Sequence, residues 1–459
     1  MNLDKLNSIY FLGIGGIGMS ALARYFNSLG VQVTGYDKTS TLLTDKLQEE
    51  GIRVHFEDDL NQIPKNIDLV IYTPAIPNNL SEFNFLKSSG ISIKKRSEVL
   101  GLITQTKKTI AVSGTHGKTT VSSILAHLLY QSELGSSALL GGITKNYNSN
   151  LLVSPGSDNM VVEADEFDKS FLHLKPFATV ITSIDADHLD IYGDHDEMKK
   201  SFSEFASQTS PKGFLVVKKG IDLNMDKVKT ERVFTYSITE EANYTAENIL
   251  YLNGDYTFDL HTPDRKIENL LLGMHGQINI ENAVAAAAVA LSMGITEHEL
   301  RENLASFSGV KRRFDYQIKD DNLIFIDDYA HHPEEIKALV NSVRDMYPGK
   351  KILGIFQPHL FSRTSDFADG FAESLSLLDE VILLPIYPAR ELPIEGVNSE
   401  LLLNKIQGLE KSISTKDDLL ENVISKDFDV LLTIGAGDID KLVEPLRHHL
   451  LNNHQILKP

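Results

Sequence analysis

Residues Gly114-Thr115-His116-Gly117-Lys118-Thr119-Thr120 combine what the binding of a phosphate chain requires. Glycines let the backbone curl so that successive N–H groups point at phosphate oxygens. Lys118 offers a point charge to the β- and γ-phosphates, and the Thr119 hydroxyl is a magnesium ligand of the usual kind. The run KKTIAVSG (107–114) reads as a strand entering the turn, and Val121 to Tyr130 as the helix leaving it. That helix adds a positive dipole end and unpaired N–H groups. The pattern departs from G-x-x-x-x-G-K-[ST] because Val112 occupies the first glycine position. Nucleoside triphosphate binding by itself leaves kinase, ATPase and ligase open.

Other residues are placed where chemistry is usually done. Glu163 and His188 both sit at the ends of apolar runs, and α/β sheets present ligand groups at the carboxyl ends of their strands. A solvated surface charge is the plain alternative for either one. Asn279 and Asn282 open an alanine-rich helix (281–294); an asparagine can pair with a purine edge, or simply cap the helix. Near the N-terminus, Gly13-Ile14-Gly15-Gly16-Ile17-Gly18 lies between a strand and a helix, and Asp37 ends the next strand. Taken alone this is a dinucleotide fingerprint, with glycines and a helix dipole for a pyrophosphate and an acid for a ribose.

The elements that must position these groups follow one rhythm. IYFLG (9–13), VQVTGYD (31–37), DLVIYTP (68–74) and ISIKK (91–95) read as strands alternating with helical stretches such as 19–29. KKTIAVSG, NMVVEAD (159–165) and ATVITSID (178–185) form a second set, with a hairpin expected at Asn253-Gly254. LIFIDDYA (323–330), KILGIFQ (351–357), EVILLPIY (380–387) and DVLLTIGAG (429–437) form a third. Strands alternating with helices imply parallel sheets. The 459 residues suit two to four domains at about 100–200 residues each.

With 44 basic against 63 acidic residues, the net charge of −19 speaks against non-specific binding of nucleic acid or anionic membrane. Absence of cysteine excludes disulfides, thiolate catalysis and cysteine metal sites. No segment approaches the ~20 apolar residues of a membrane span, and the start lacks a signal-peptide pattern, so a soluble cytoplasmic protein is expected.

GTHGKTT (114–120), then Glu163-Ala164-Asp165-Glu166, then Asp185-Ala186-Asp187-His188-Leu189-Asp190 resembles the Mur ligase family of peptidoglycan synthesis. The resemblance extends over nearly the whole chain. GIGGIGMS (13–20), SFLHLKP (170–176), RRFD (312–315), DDYAHHP (327–333) and PHLFSRT (358–364) are similar to the branch that joins L-alanine to UDP-N-acetylmuramate. The fold it implies is α/β in three domains. These are a Rossmann-like domain for the UDP-sugar (1–106), a central P-loop ATP-binding domain with a mostly parallel sheet (107–310), and a Rossmann-like α/β domain for the amino acid (311–459).

The resemblance also implies roles. ATP lies on residues 114–120 with Asn279 and Asn282 at its adenine end. Thr119, Glu163 and His188 hold magnesium. Gly15, Gly16, Ile17, Gly18 and Asp37 take the UDP portion, with Arg96 and Lys145 within reach or merely on the surface. Lys118, Arg313, Asp328 and His331 act in catalysis, and Tyr329, His359 and Arg363 surround the amino acid. An arginine fork matches a carboxylate bidentately, which suits Arg363. Leu360 and Phe167 stand where relatives often carry arginine and serine. Partners are the small molecules UDP-N-acetylmuramate and L-alanine, and monomer or homodimer stays open. Rival readings are a sister ligase taking a preformed tripeptide, a nicotinamide oxidoreductase built on Gly13–Gly18, and a non-catalytic nucleotide-gated binding protein.

Overall fold

In the computed structural model the described residues are 3–186, 189–252, 255–389 and 391–457; the expected hairpin at Asn253-Gly254 and the proposed ligand His188 lie outside them. Three sheets carry the chain. The first is β1 (Ser8–Leu12), β2 (Gln32–Tyr36), β3 (Arg53–His55), β4 (Leu69–Tyr72) and β5 (Ile93–Lys95), ordered β3-β2-β1-β4-β5. All its pairings are parallel. Every residue of β1 is buried, as a parallel strand covered on both faces requires. Ile9 and Phe11 pack into one core cluster while Tyr10 and Leu12 pack into another, because successive side chains alternate across a sheet.

The central sheet holds β6 (Lys108–Ser113), β7 (Ser137–Thr144), β8 (Ser149–Leu152), β9 (Asn159–Glu163), β10 (Ala178–Ile181), β11 (Phe214–Lys218), β12 (Val233–Ser237), β13 (Tyr244–Leu252), β14 (Asp255–His261) and β15 (Lys266–Leu272). Its order is β15-β14-β13-β12-β11-β10-β6-β9-β7-β8. Pairings from β13 through β7 are parallel, and β8 runs antiparallel to β7. The third sheet is β16 (Asp315–Lys319), β17 (Ile324–Asp328), β18 (Ile352–Phe356), β19 (Glu380–Leu383), β20 (Glu410–Ile413) and β21 (Val430–Ile434), in the order β16-β17-β21-β18-β19-β20. Only β16 is antiparallel there.

The chain divides into two compact units. One comprises Met1–Leu250, Thr257–Gly273 and Ile280–Ser308, and the other Tyr251–Tyr256, Met274–Asn279 and Gly309–Pro459. The first sheet and all of the second but the hairpin end of β13 and β14 belong to the former, and the two share a core running from Ile9 and Phe11 to Met160, Phe171 and Phe202. Two expected helices start earlier than their apolar pattern. Lys118–Gln131 replaces 121–130, and Ile278–Met293 replaces 281–294. Among the described residues no helix is long and apolar enough to cross a membrane.

Candidate active site

The turn 114–117 leaves the carboxyl end of β6, which lies between β10 and β9 in the central sheet. Gly117 has φ +81° and directly precedes the helix Lys118–Gln131. Gly114 has φ +140°, and a Cβ there would fall 2.0 Å from Thr182 Oγ1, so only glycine fits. The turn is fastened to the segment after β10. The His116 N–H donates to Ser183 Oγ (2.7 Å), the Thr115 N–H to Ser183 O (3.2 Å), and the Asp185 N–H to Thr115 Oγ1 (3.0 Å).

Parallel pairing of β6 with β9 sets Val112 opposite Glu163, so that carboxylate stands at the same sheet edge as the turn. The Gly141 N–H donates to Glu163 Oε2 (3.2 Å), and a Cβ at 141 would lie 2.4 Å from both carboxylate oxygens. The Lys118 ammonium donates to Gly114 O (2.6 Å) and Glu166 Oε1 (2.8 Å). Burial opposes its charge, but Glu166, Asp165 and Glu163 outweigh that and hold its pKa above the ordinary lysine value. Burial raises the Glu166 carboxyl as well, up to about 7, against the pull of Lys118. Asn282 also reaches this edge, with Oδ1 2.9 Å from where a Gly117 Cβ would be. Asn279 lies inside the first turn of its helix and donates from its amide to His275 O, so it does not cap that helix.

In the first sheet, Gly13 (φ +83°) starts the glycine turn at the end of β1, the strand beside which the strand order reverses. Gly16 precedes the helix Ile17–Ser28. Asp37 is engaged by the turn itself, accepting from the Gly15 N–H (2.7 Å) and the Thr39 N–H (3.2 Å). Arg96 NH1 lies 3.0 Å from the position a Gly18 Cβ would take, and its NH2 is 3.6 Å from Asp165 Oδ2. Lys145 directly follows β7.

The third sheet gathers the remaining residues. DDYAHHP leaves β17 and PHLFSRT leaves β18, strands that flank β21. Asp328 is half-buried and accepts from the Phe314 N–H (2.7 Å) and the Ala330 N–H (2.8 Å); desolvation pushes its carboxyl up to about 6. Asp327 is a counter-ion to Arg312 (3.3 Å) and bonds the Thr433 hydroxyl (2.7 Å). Arg313 lies over the Tyr329 ring at 5.1 Å, with NH1 3.9 Å from Glu335 Oε1. His331 and His359 form an edge-on ring pair at 6.2 Å, and His359 stacks on Tyr387 at 5.7 Å. Burial holds His359 down to about 4. Arg363 is buried in the short helix Phe361–Asp366. Leu360, just before that helix, has φ +70°, a strained conformation for a side chain of that size.

Family models cover these same three regions. The Mur ligase family catalytic domain matches residues 8–108, the Mur ligase middle domain 112–290, and the Mur ligase glutamate ligase domain 312–437. The UDP-N-acetylmuramate–L-alanine ligase of Flavobacterium johnsoniae is 50% identical over 99% of this chain and 100% of its own length. The chain belongs to the Mur ligase family. A Porphyromonas gingivalis protein of the same name is 51% identical, covering 97% of this chain and 99% of its own. The crystal structure of the UDP-N-acetylmuramate–alanine ligase of Thermotoga maritima superposes with a TM-score of 0.82 at 28% identity, covering 98% of this chain and 100% of that one.

Within this Mur ligase the sheet edge around β6 fits a phosphate chain with a hard cation. The glycine positions keep the backbone bare, and Thr119 and Glu163 supply hydroxyl and carboxylate oxygens, the donors magnesium prefers. Three residues of these sites were not anticipated from sequence. Glu166 stood in the quoted motif without a role, although it is the buried counter-ion of Lys118. Ser183 braces the phosphate turn, and Glu335 links Arg313 to His331.

Proposed function

We propose that this Mur ligase joins L-alanine to the carboxylate of UDP-N-acetylmuramate at the expense of ATP, through an acyl phosphate, as a cytoplasmic step of peptidoglycan precursor synthesis. The observation that carries this reading is full-length likeness, at 50% identity, to ligases bearing that name. DDYAHHP and PHLFSRT leaving the ends of the two strands that flank β21 in the third sheet support it.

ATP binds on residues 114–120, with Asn279 and Asn282 toward its base. Gly15, Gly16, Ile17, Gly18 and Asp37 receive the UDP portion. Thr119, Glu163 and His188 would hold magnesium, which when bound supplies positive charge against the phosphate oxygens. A carboxylate oxygen of the sugar-linked acid forms a bond to the γ-phosphorus, the β–γ bridging bond breaks, and ADP leaves. Lys118 and Arg313 stabilise the charge that develops on the phosphoryl oxygens, where fixed cations help most. Asp328 fixes the backbone just after Arg313 and just after Tyr329 through its contacts with the Phe314 and Ala330 N–H groups. Arg363, Tyr329 and His359 hold the amino acid. Its amine then attacks the acyl carbon, phosphate leaves, and His331 accepts the amine proton.

An acceptor screen with ATP and UDP-N-acetylmuramate tests this. L-Alanine should be the efficient acceptor, and a preference for the preformed tripeptide would overturn the assignment.

A further inference from the structure

His331 is surrounded by groups that settle which of its nitrogens can work. Its Nδ1 lies 3.0 Å from Tyr329 O and 3.3 Å from Glu335 Oε2. A carbonyl oxygen can only accept, so the proton of the neutral ring sits on Nδ1 and the lone pair on Nε2. Two guanidiniums, Arg313 and Arg363, oppose any positive charge on this ring, as does burial. His359 faces it edge-on, itself held neutral by burial. Glu335 is the acidic side chain that acts on the ring in the favourable sense. It sits on the first turn of the helix Pro333–Met346, its side chain 14% exposed, and accepts from the His331 N–H (2.9 Å).

Resting on the ligase reading above, we propose that Glu335 is a positioning residue for amide formation: its carboxylate steadies the imidazole and offsets the two guanidiniums, so that His331 Nε2 can take a proton from the attacking amine. In that step the nitrogen lone pair forms the C–N bond and the acyl C–O bond to phosphate breaks. Inorganic phosphate departs, and the displaced amine proton ends on Nε2. Glu335 touches neither substrate. It plays toward His331 the part that a buried carboxylate plays behind a catalytic histidine in general.

The two half-reactions separate this role from a structural one. UDP-N-acetylmuramate-dependent exchange of label between ADP and ATP reads phosphoryl transfer alone, and amide product reads both steps. Glu335→Gln keeps an oxygen to accept the His331 N–H and loses the charge. Its exchange should fall less than amide formation does, because the Arg313 contact that it loosens is long, at 3.9 Å. Amide formation near pH 7 should fall about tenfold or more, the scale of a positioned base. The deficit should narrow as pH rises and solvent base takes more of the displaced amine proton. Glu335→Asp keeps the charge one methylene farther back and should lie between the two, and it carries the comparison should the glutamine protein not fold. Amide formation equal to wild type in these variants, a deficit independent of pH, or exchange falling in step with amide formation would each overturn the proposal. Wild-type enzyme that shows no such exchange would instead overturn the ligase reading itself.

Discussion

The Lys118 ammonium lies 2.8 Å from the Glu166 carboxylate, which is fully buried while the lysine side chain is 15% exposed. Glu166 therefore offers Lys118 an anionic partner of the kind the proposed nucleotide also brings. Lys118→Ala should lower kcat for ADP release by on the order of 10²–10³-fold, the usual loss when a transition-state charge partner is removed. Glu166→Ala leaves a buried ammonium without its nearest counter-charge and should cost about 3–5 kcal/mol of stability in the absence of nucleotide. Thermal melts with and without a non-hydrolysable ATP analogue check this, the analogue narrowing the gap to wild type.

Gly114→Ala places a methyl group 2.0 Å from Thr182 Oγ1 at a φ of +140°. The turn must open to accept it. Nucleotide affinity should fall by at least about tenfold, given about 1–3 kcal/mol for a backbone forced out of its conformation. Titration with an ATP analogue measures this, and Gly30→Ala, at a positive φ with nothing within 4 Å, controls for backbone strain alone.

Arg363→Lys keeps the charge and loses the planar fork that matches a carboxylate. The KM for L-alanine should rise about tenfold, while the KM for ATP stays within about twofold. Initial rates with one substrate varied at a time distinguish the two.

His127 supplies a pH test of the fold. Its Nδ1 meets the Tyr147 hydroxyl (2.7 Å) and its Nε2 the Ser306 hydroxyl (3.0 Å), inside the helix that follows the phosphate turn. Burial holds its pKa down to about 4, below the ordinary 6.5. The unfolded chain therefore binds the extra proton first as pH falls, and stability is lost between about 6.5 and 4. The contribution is at most about 3 kcal/mol. Denaturant titrations of wild type and His127→Gln should show a smaller loss across that window in the variant.

Much of the fold was legible because buried parallel strands announce themselves as short apolar runs: β6, β17 and β21 lie inside the runs that predicted them, and β1 starts one residue before its run. The helix after the phosphate turn was placed three residues late, because its first turn, Lys118-Thr119-Thr120, is polar and only the φ of Gly117 marks the start. Asp37 read as an open ribose acid; the fold ties it to the Gly15 N–H, a contact between strand ends that spacing does not encode. Glu166 and Glu335 were passed over for a shared reason. An acid in an acidic motif, or in the first turn of a helix, looks like solvated charge until tertiary packing buries it against Lys118 or His331.

The central claim is a phosphoryl transfer followed by amine capture in one enzyme, and ADP release measures it directly. With ATP present, steady release past the first turnover should require both UDP-N-acetylmuramate and L-alanine and match the amide formed one for one. Steady release with either substrate left out, or release without amide, would contradict the account.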